Sequence, residues 1–84
     1  SKHMNYELIK YIFVVEKYEY ENNSEKSIYA ICKNEESLDK LVKKILETEN
    51  VYKSEFEDNV FYYNGNLWSP LKRAYKISKV MVLE

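Results

Sequence analysis

Residues 34–50 read NEESLDKLVKKILETEN, the one stretch of this 84-residue chain with clear helical periodicity. Leu38, Leu41, Val42, Ile45 and Leu46 fall at i, i+3, i+4, i+7 and i+8, the spacing of one buried helical stripe. Asn34 suits an N-cap, and Glu35, Glu36 and Asp39 place negative charge where the helix dipole favours it. Glu36 with Lys40 and Asp39 with Lys43 form i,i+4 pairs in the favourable order. Asn50 followed by β-branched Val51 is a reasonable stop.

Upstream of the helix, residues 7–20 read as a long strand. Tyr11, Ile12, Phe13, Val14 and Val15 are apolar on both faces, as in a strand buried on both sides. From Glu16 onward, charges interleave with Tyr18 and Tyr20, so the strand becomes half-exposed. The polar residues 22–26 fit a hairpin loop. Residues 27–33 then form the return strand, with Ile28, Ala30 and Cys32 on one face and Tyr29 and Ile31 on the other. Small Ala30 and Cys32 suit the face under a helix, which leaves Tyr29 on the opposite face.

Downstream, residues 51–56 alternate weakly, and Glu57-Asp58-Asn59 is a turn candidate. Residues 60–63 lead into Asn64-Gly65 and then Asn66-Leu67-Trp68, a local signal for a tight hairpin, because Asn-Gly supplies the two positive φ angles of a type I′ turn. Ser69-Pro70 breaks that strand. Residues 71–83 form the last strand, apolar on both faces near its end. The expected fold is α+β: an antiparallel sheet of about five strands in the order β-β-α-β-β-β, with one helix packed on one face.

Ser1-Lys2-His3 resembles a cloning remnant, which leaves residues 4–84 as a single domain. A domain this small buries only roughly 60–65% of its unfolded surface, so a second copy is a natural source of further core. The formal net charge is −1, and mixed charges describe neither a strongly basic nucleic-acid binder nor an acidic mimic. Arg73 is the sole arginine, which counts against bidentate phosphate and base recognition. The single cysteine, Cys32, cannot form an internal disulfide and suits a reducing, cytoplasmic setting. The apolar runs are too short to span a membrane.

Little chemistry is available. The one histidine is His3, so Cys32 has no base to activate it and reads as a small buried hydrophobe. Zinc ligands do not cluster. Glu55, Glu57, Asp58 and Asn59 lack the spacing and central glycine of a calcium loop and read as a solvated turn. Glu16 and Glu19 lie on opposite faces of a strand and do not pair for acid–base work. Gly65 is the only glycine, so no phosphate loop exists. The expectation is a protein without catalytic residues, cofactor or metal.

Geometry supplies the functional expectation. A 16-residue helix is about 24 Å long and 10 Å wide, whereas five strands span on the order of 20 Å. One helix covers roughly half of one face and leaves the second open. The chain nevertheless has nine Tyr, three Phe and one Trp. Each large aromatic buries roughly 150–250 Å² when covered, and a monomer rarely leaves several open. The reading is a protein-binding module or inhibitor that meets another protein, or a second copy of itself, through the sheet face opposite the helix. Tyr18, Tyr20, Tyr29, Tyr62 and Trp68 are its candidate contacts. Size and mixed charge resemble those of many small phage or mobile-element proteins that bind a host protein. The alternative is nucleic-acid binding through the basic strand at 72–79, with Lys72, Arg73, Tyr75, Lys76 and Lys79. Pairing of that strand with the acids at 47–58 is the competing explanation for its charge.

Overall fold

A computed structural model describes residues 9–21, 25–65 and 71–83. Five strands and one helix follow in the expected order: β1 (Ile9–Glu19), β2 (Glu25–Cys32), α1 (Glu35–Thr48), β3 (Tyr52–Phe56), β4 (Asn59–Asn64) and β5 (Arg73–Leu83). The strands form one antiparallel sheet in the order β2-β1-β5-β4-β3. The first and last strands are thus neighbours at its centre, but the expected burial on both sides is not met. Tyr11 and all of Val80, Met81, Val82 and Leu83 are exposed, because one helix covers only part of one face. They pair over eleven positions, from Ile9 with Leu83 to Glu19 with Arg73.

The helix begins as its sequence implies. The Ser37 N–H donates to Asn34 Oδ1 (2.9 Å) and the Asn34 N–H donates to Ser37 Oγ (3.3 Å), a reciprocal cap with serine in the usual Glu/Gln position. Glu36 pairs with Lys40 at 3.6 Å. The helix stops at Thr48, two residues before Asn50, because Glu49 turns extended (φ −135°, ψ 145°) and feeds β3. Ile45 is buried against Val15, Cys32, Tyr62, Tyr75 and Ile77, with Leu38, Leu41 and Val42 partly buried beside it. Leu46 completes the stripe in sequence but is 52% exposed, since the helix lies along the sheet on its 38/41/42/45 ridge.

One expected turn is absent and the other is found where the sequence placed it. Asn64 pairs with Arg73, so eight residues separate β4 from β5 and no two-residue turn sits at Asn64-Gly65. Gly65 has φ 138°, outside the type I′ region, and a Cβ there would come within 3.0 Å of the Leu71 Cα. Asn64 holds the base of this connection, its Oδ1 accepting from the Arg73 N–H at 2.8 Å. The tight turn is at Glu57-Asp58, between paired Phe56 and Asn59, with Glu57 in the left-handed region at φ 57°. The other departure is a bulge in β2. Val15 pairs with Ala30 but Glu16 pairs with Ile28, so Tyr29 is skipped and its side is reset.

Candidate protein-binding face

Register assigns the side chains to faces. Cβ direction alternates along a strand and paired residues share a face. Val15 and Ile77, paired and in the core with Ile45, mark the covered face. Ala30, Cys32, Val60, Tyr62 and Tyr75 lie on it, and so do Lys17, Glu19, Arg73 and Lys79. The intervening residues form the open face. Ile12, Val14, Ile28, Ile31 and Val80 occupy its β2-β1-β5 half, and Tyr52, Phe56, Phe61 and Tyr63 its β4-β3 half.

No described element lies over that second set. Ile28 and Phe56 are each 65% exposed and Ile31 is 60% exposed; Tyr20, Tyr52, Val80 and Val82 are also open. These aliphatic and aromatic side chains share one sheet face instead of standing singly. A charged band crosses it: Glu16 pairs with Lys26 at 3.1 Å and lies 4.0 Å from Lys76. That contact raises the Lys26 pKa above its ordinary value.

The five residues singled out from the sequence do not converge. Tyr18 and Tyr20 are on the open face, with rings stacked at 6.3 Å. Tyr29 is not: the bulge turns it to the covered side, where its ring meets Tyr75 edge-on at 5.1 Å and Lys17 Nζ at 5.5 Å. Tyr62 is buried on the covered face, opposite Tyr75. Trp68 lies outside the described residues. The exposed open-face residues that aromatic counting passed over include aliphatic Ile28, Ile31 and Val80. Ile28 was legible as exposed only with the bulge known, whereas alternation from Ala30 and Cys32 already put Ile31 on the open face. Tyr52 and Phe56 were legible in the alternation of residues 52–56.

The covered face is organised by polar contacts as well as by its core. Glu49 Oε1 accepts from Arg73 Nη1 and, at 3.3 Å, from Asn64 Nδ2, while Oε2 accepts from the Tyr75 hydroxyl. Arg73 Nε also donates to Glu19 at 3.0 Å. Those bonds, from Arg73 first and Lys17 second, hold the Glu19 carboxyl below its ordinary pKa. Burial, followed by the Glu49 carboxylate, pushes the Tyr75 hydroxyl well above the ordinary tyrosine value. Beside the helix lies a cleft of about 270 Å³, with Phe13, Leu38, Val42 and Tyr62 among its walls and Lys53 and Asp58 also on them.

The basic strand is therefore largely compensated. Arg73 meets two carboxylates, Lys72 lies 4.0 Å from Glu21, Lys76 faces Glu16, and Lys79 sits 4.5 Å over the Tyr11 ring. Tyr75 is buried and is no stacking platform. Cys32 is buried too, and burial raises its thiol pKa, as befits a packing residue. Among the described residues, no group of three or more His, Cys, Asp or Glu is placed to hold a metal ion. No helix among them is long and apolar enough to cross a membrane. No family model, curated protein or solved structure matches the chain.

Proposed function

We propose that this chain is a non-catalytic protein-binding module whose working surface is the open face of its sheet. One observation carries the reading: the face opposite α1 presents Ile28, Ile31, Tyr52, Phe56 and Val80 to solvent, and no described element covers them. Apolar area of this kind is stabilised by removal from water at about 25 cal/mol per Å², and a protein surface of matching shape is what removes it. The charge pattern supports the same reading over nucleic-acid binding. Arg73, Lys72 and Lys76 each stand within 4.0 Å of a carboxylate, so the basic strand itself offers little uncompensated charge to a phosphate backbone.

Site-specific photo-crosslinking in cells tests this. A crosslinking residue at Tyr52 or Ile31 is expected to give discrete protein adducts. The same residue at Lys43 or Lys44, exposed on the helix, is expected to give none. Equal adducts from both surfaces, or none from the open face, would overturn the reading.

A further inference from the structure

We infer that the surface seated on the open face is a second copy of this chain, packed sheet against sheet about a twofold axis that runs along β5. The inference rests on the open face being a protein-binding surface and names its occupant.

The first argument is the thinness of the core. Seven hydrophobic residues are buried among those described, and the radius of gyration is 15.5 Å, against about 12 Å for a compact chain of this length. The described chain measures 58 × 25 × 20 Å, a slab rather than a ball. A fold short of buried area is completed most directly by a partner that is always present when it is made, namely itself.

The second argument is area. With strands about 4.8 Å apart and side chains on one face repeating every ~6.7 Å, the open face projects roughly 600 Å². Each partner in a standard interface buries about 800 Å² of accessible surface, which is the scale of a rough face of that projection. The whole face is needed to reach it, not one corner.

The third argument is complementarity. β5 is the middle strand, with β2 and β1 on one side and β4 and β3 on the other. An in-plane twofold along β5 lays the aliphatic half of one copy on the aromatic half of the other. Ile31 and Phe56, at opposite edges and at the same level along the strands, then oppose each other twice. Both are among the most exposed apolar residues (60% and 65%). Two sheets packed this way lie about 10 Å apart, with mean strand directions within about 30° of each other.

Sedimentation equilibrium of the purified chain is the test. The wild type is expected at twice its 10.2 kDa over micromolar concentrations. Ile31→Lys and Phe56→Glu are each expected to sediment as monomers, because a twofold repeats every substitution and weakens association by about 100-fold or more. An equimolar mixture of the two is expected to re-form a dimer, since one contact becomes Lys–Glu and the other stays Ile–Phe. Leu46→Lys, an equally exposed apolar position away from this face, is expected to remain dimeric. Far-UV circular dichroism confirms that each variant is folded. A wild type at one chain's mass throughout, or a mixture that stays monomeric, would overturn the inference. A monomer whose open-face crosslinks go to a different protein overturns the second copy but leaves the docking surface. A monomer with no such adduct takes down both.

Discussion

The two faces of this sheet carry similar residues and differ in what meets them. On the covered face, Val15 is fully buried and Ile45 of the helix is 2% exposed. On the open face, Ile31 pairs with Val14 in the same strands and remains mostly in water. The covered face also has a polar anchor, since Glu49 at the helix end receives Arg73, Tyr75 and Asn64. The open face has Glu16 between two lysines and, among its apolar side chains, polar Ser54, Asn59 and Ser78. Hydropathy therefore does not distinguish the two; the presence of an element above does. The open face has apolar side chains like those of the core and no described element above it, which is the ground on which we propose it as an interface.

That contrast is broken most sharply by truncation. Ile45→Ala removes buried methylenes and leaves a cavity beneath α1, so urea unfolding should show a loss of about 2–4 kcal/mol. Ile31→Ala should cost less than about 1 kcal/mol in the monomer, because its side chain is already largely hydrated. The Ile45 loss should not vary with protein concentration, whereas the Ile31 loss should grow with it if a second copy covers the face. Equal losses at all concentrations would erase the distinction between the faces.

The next largest effect concerns the anchor. Glu49→Gln keeps the shape but leaves Arg73 with only Glu19, and should cost about 1–2 kcal/mol. Tyr75→Phe should cost about 1 kcal/mol, and the double variant less than the sum, since both share one carboxylate. Its pH signature is specific. Tyr75 has its pKa raised in the fold, so its contribution is fully present below the unfolded value of about 10 and is lost as pH rises toward the folded one. Absorbance titration should find a tyrosine component displaced to high pH, and Tyr75→Phe should remove it. Glu19 has the opposite sign. Its lowered pKa means that its contribution holds above about 4.5 and disappears as pH falls through the folded value.

Much of this contrast was legible in the chain. The i, i+3, i+4 spacing from Leu38 to Ile45 gave the helix and its buried ridge, and Asn34 gave its start. Two-sided apolarity marked β1 as a central strand, while the order of the other strands was not legible. The argument that one helix cannot shelter two faces required only lengths. What failed were assignments by parity and by turn chemistry. Parity assumes unbroken alternation, and the bulge at Tyr29 breaks it. Tyr62 and Tyr63 are adjacent aromatics, and only register shows which is buried. The Asn64-Gly65 signal was strong locally, but the chain uses Gly65 for its close approach to Leu71 within a longer connection. Ranking contacts by ring count also favoured tyrosines over Ile28 and Ile31, although aliphatic residues make up one half of the open face.

Smaller effects sharpen the comparison at its margins. Asn34→Ala removes the acceptor for the Ser37 N–H and should cost about 1 kcal/mol, as amide exchange in the first helical turn would show. It acts on the lid of the covered face and should leave open-face association unchanged.

The smallest effect comes from Glu57, and it should be a gain. A residue with a Cβ at φ 57° is in the left-handed region, which costs roughly 1–2 kcal/mol relative to the right-handed one. Glycine relieves that strain but adds freedom to the unfolded chain, so Glu57→Gly should stabilise by only about 0.5 kcal/mol. The location makes so small a change informative. Every residue of β3 is exposed, so the strand adds nothing to the buried core and depends on its turn and its ladder with β4. In a monomer the gain should appear as slower amide exchange confined to β3 and β4, with the rest of the sheet unchanged. In a dimer that packs Phe56 against its partner, local opening of β3 requires the interface to open as well. The same substitution should then slow exchange across the whole open face. Exchange confined to β3 and β4 at high concentration would show that no partner copy reaches the edge strand.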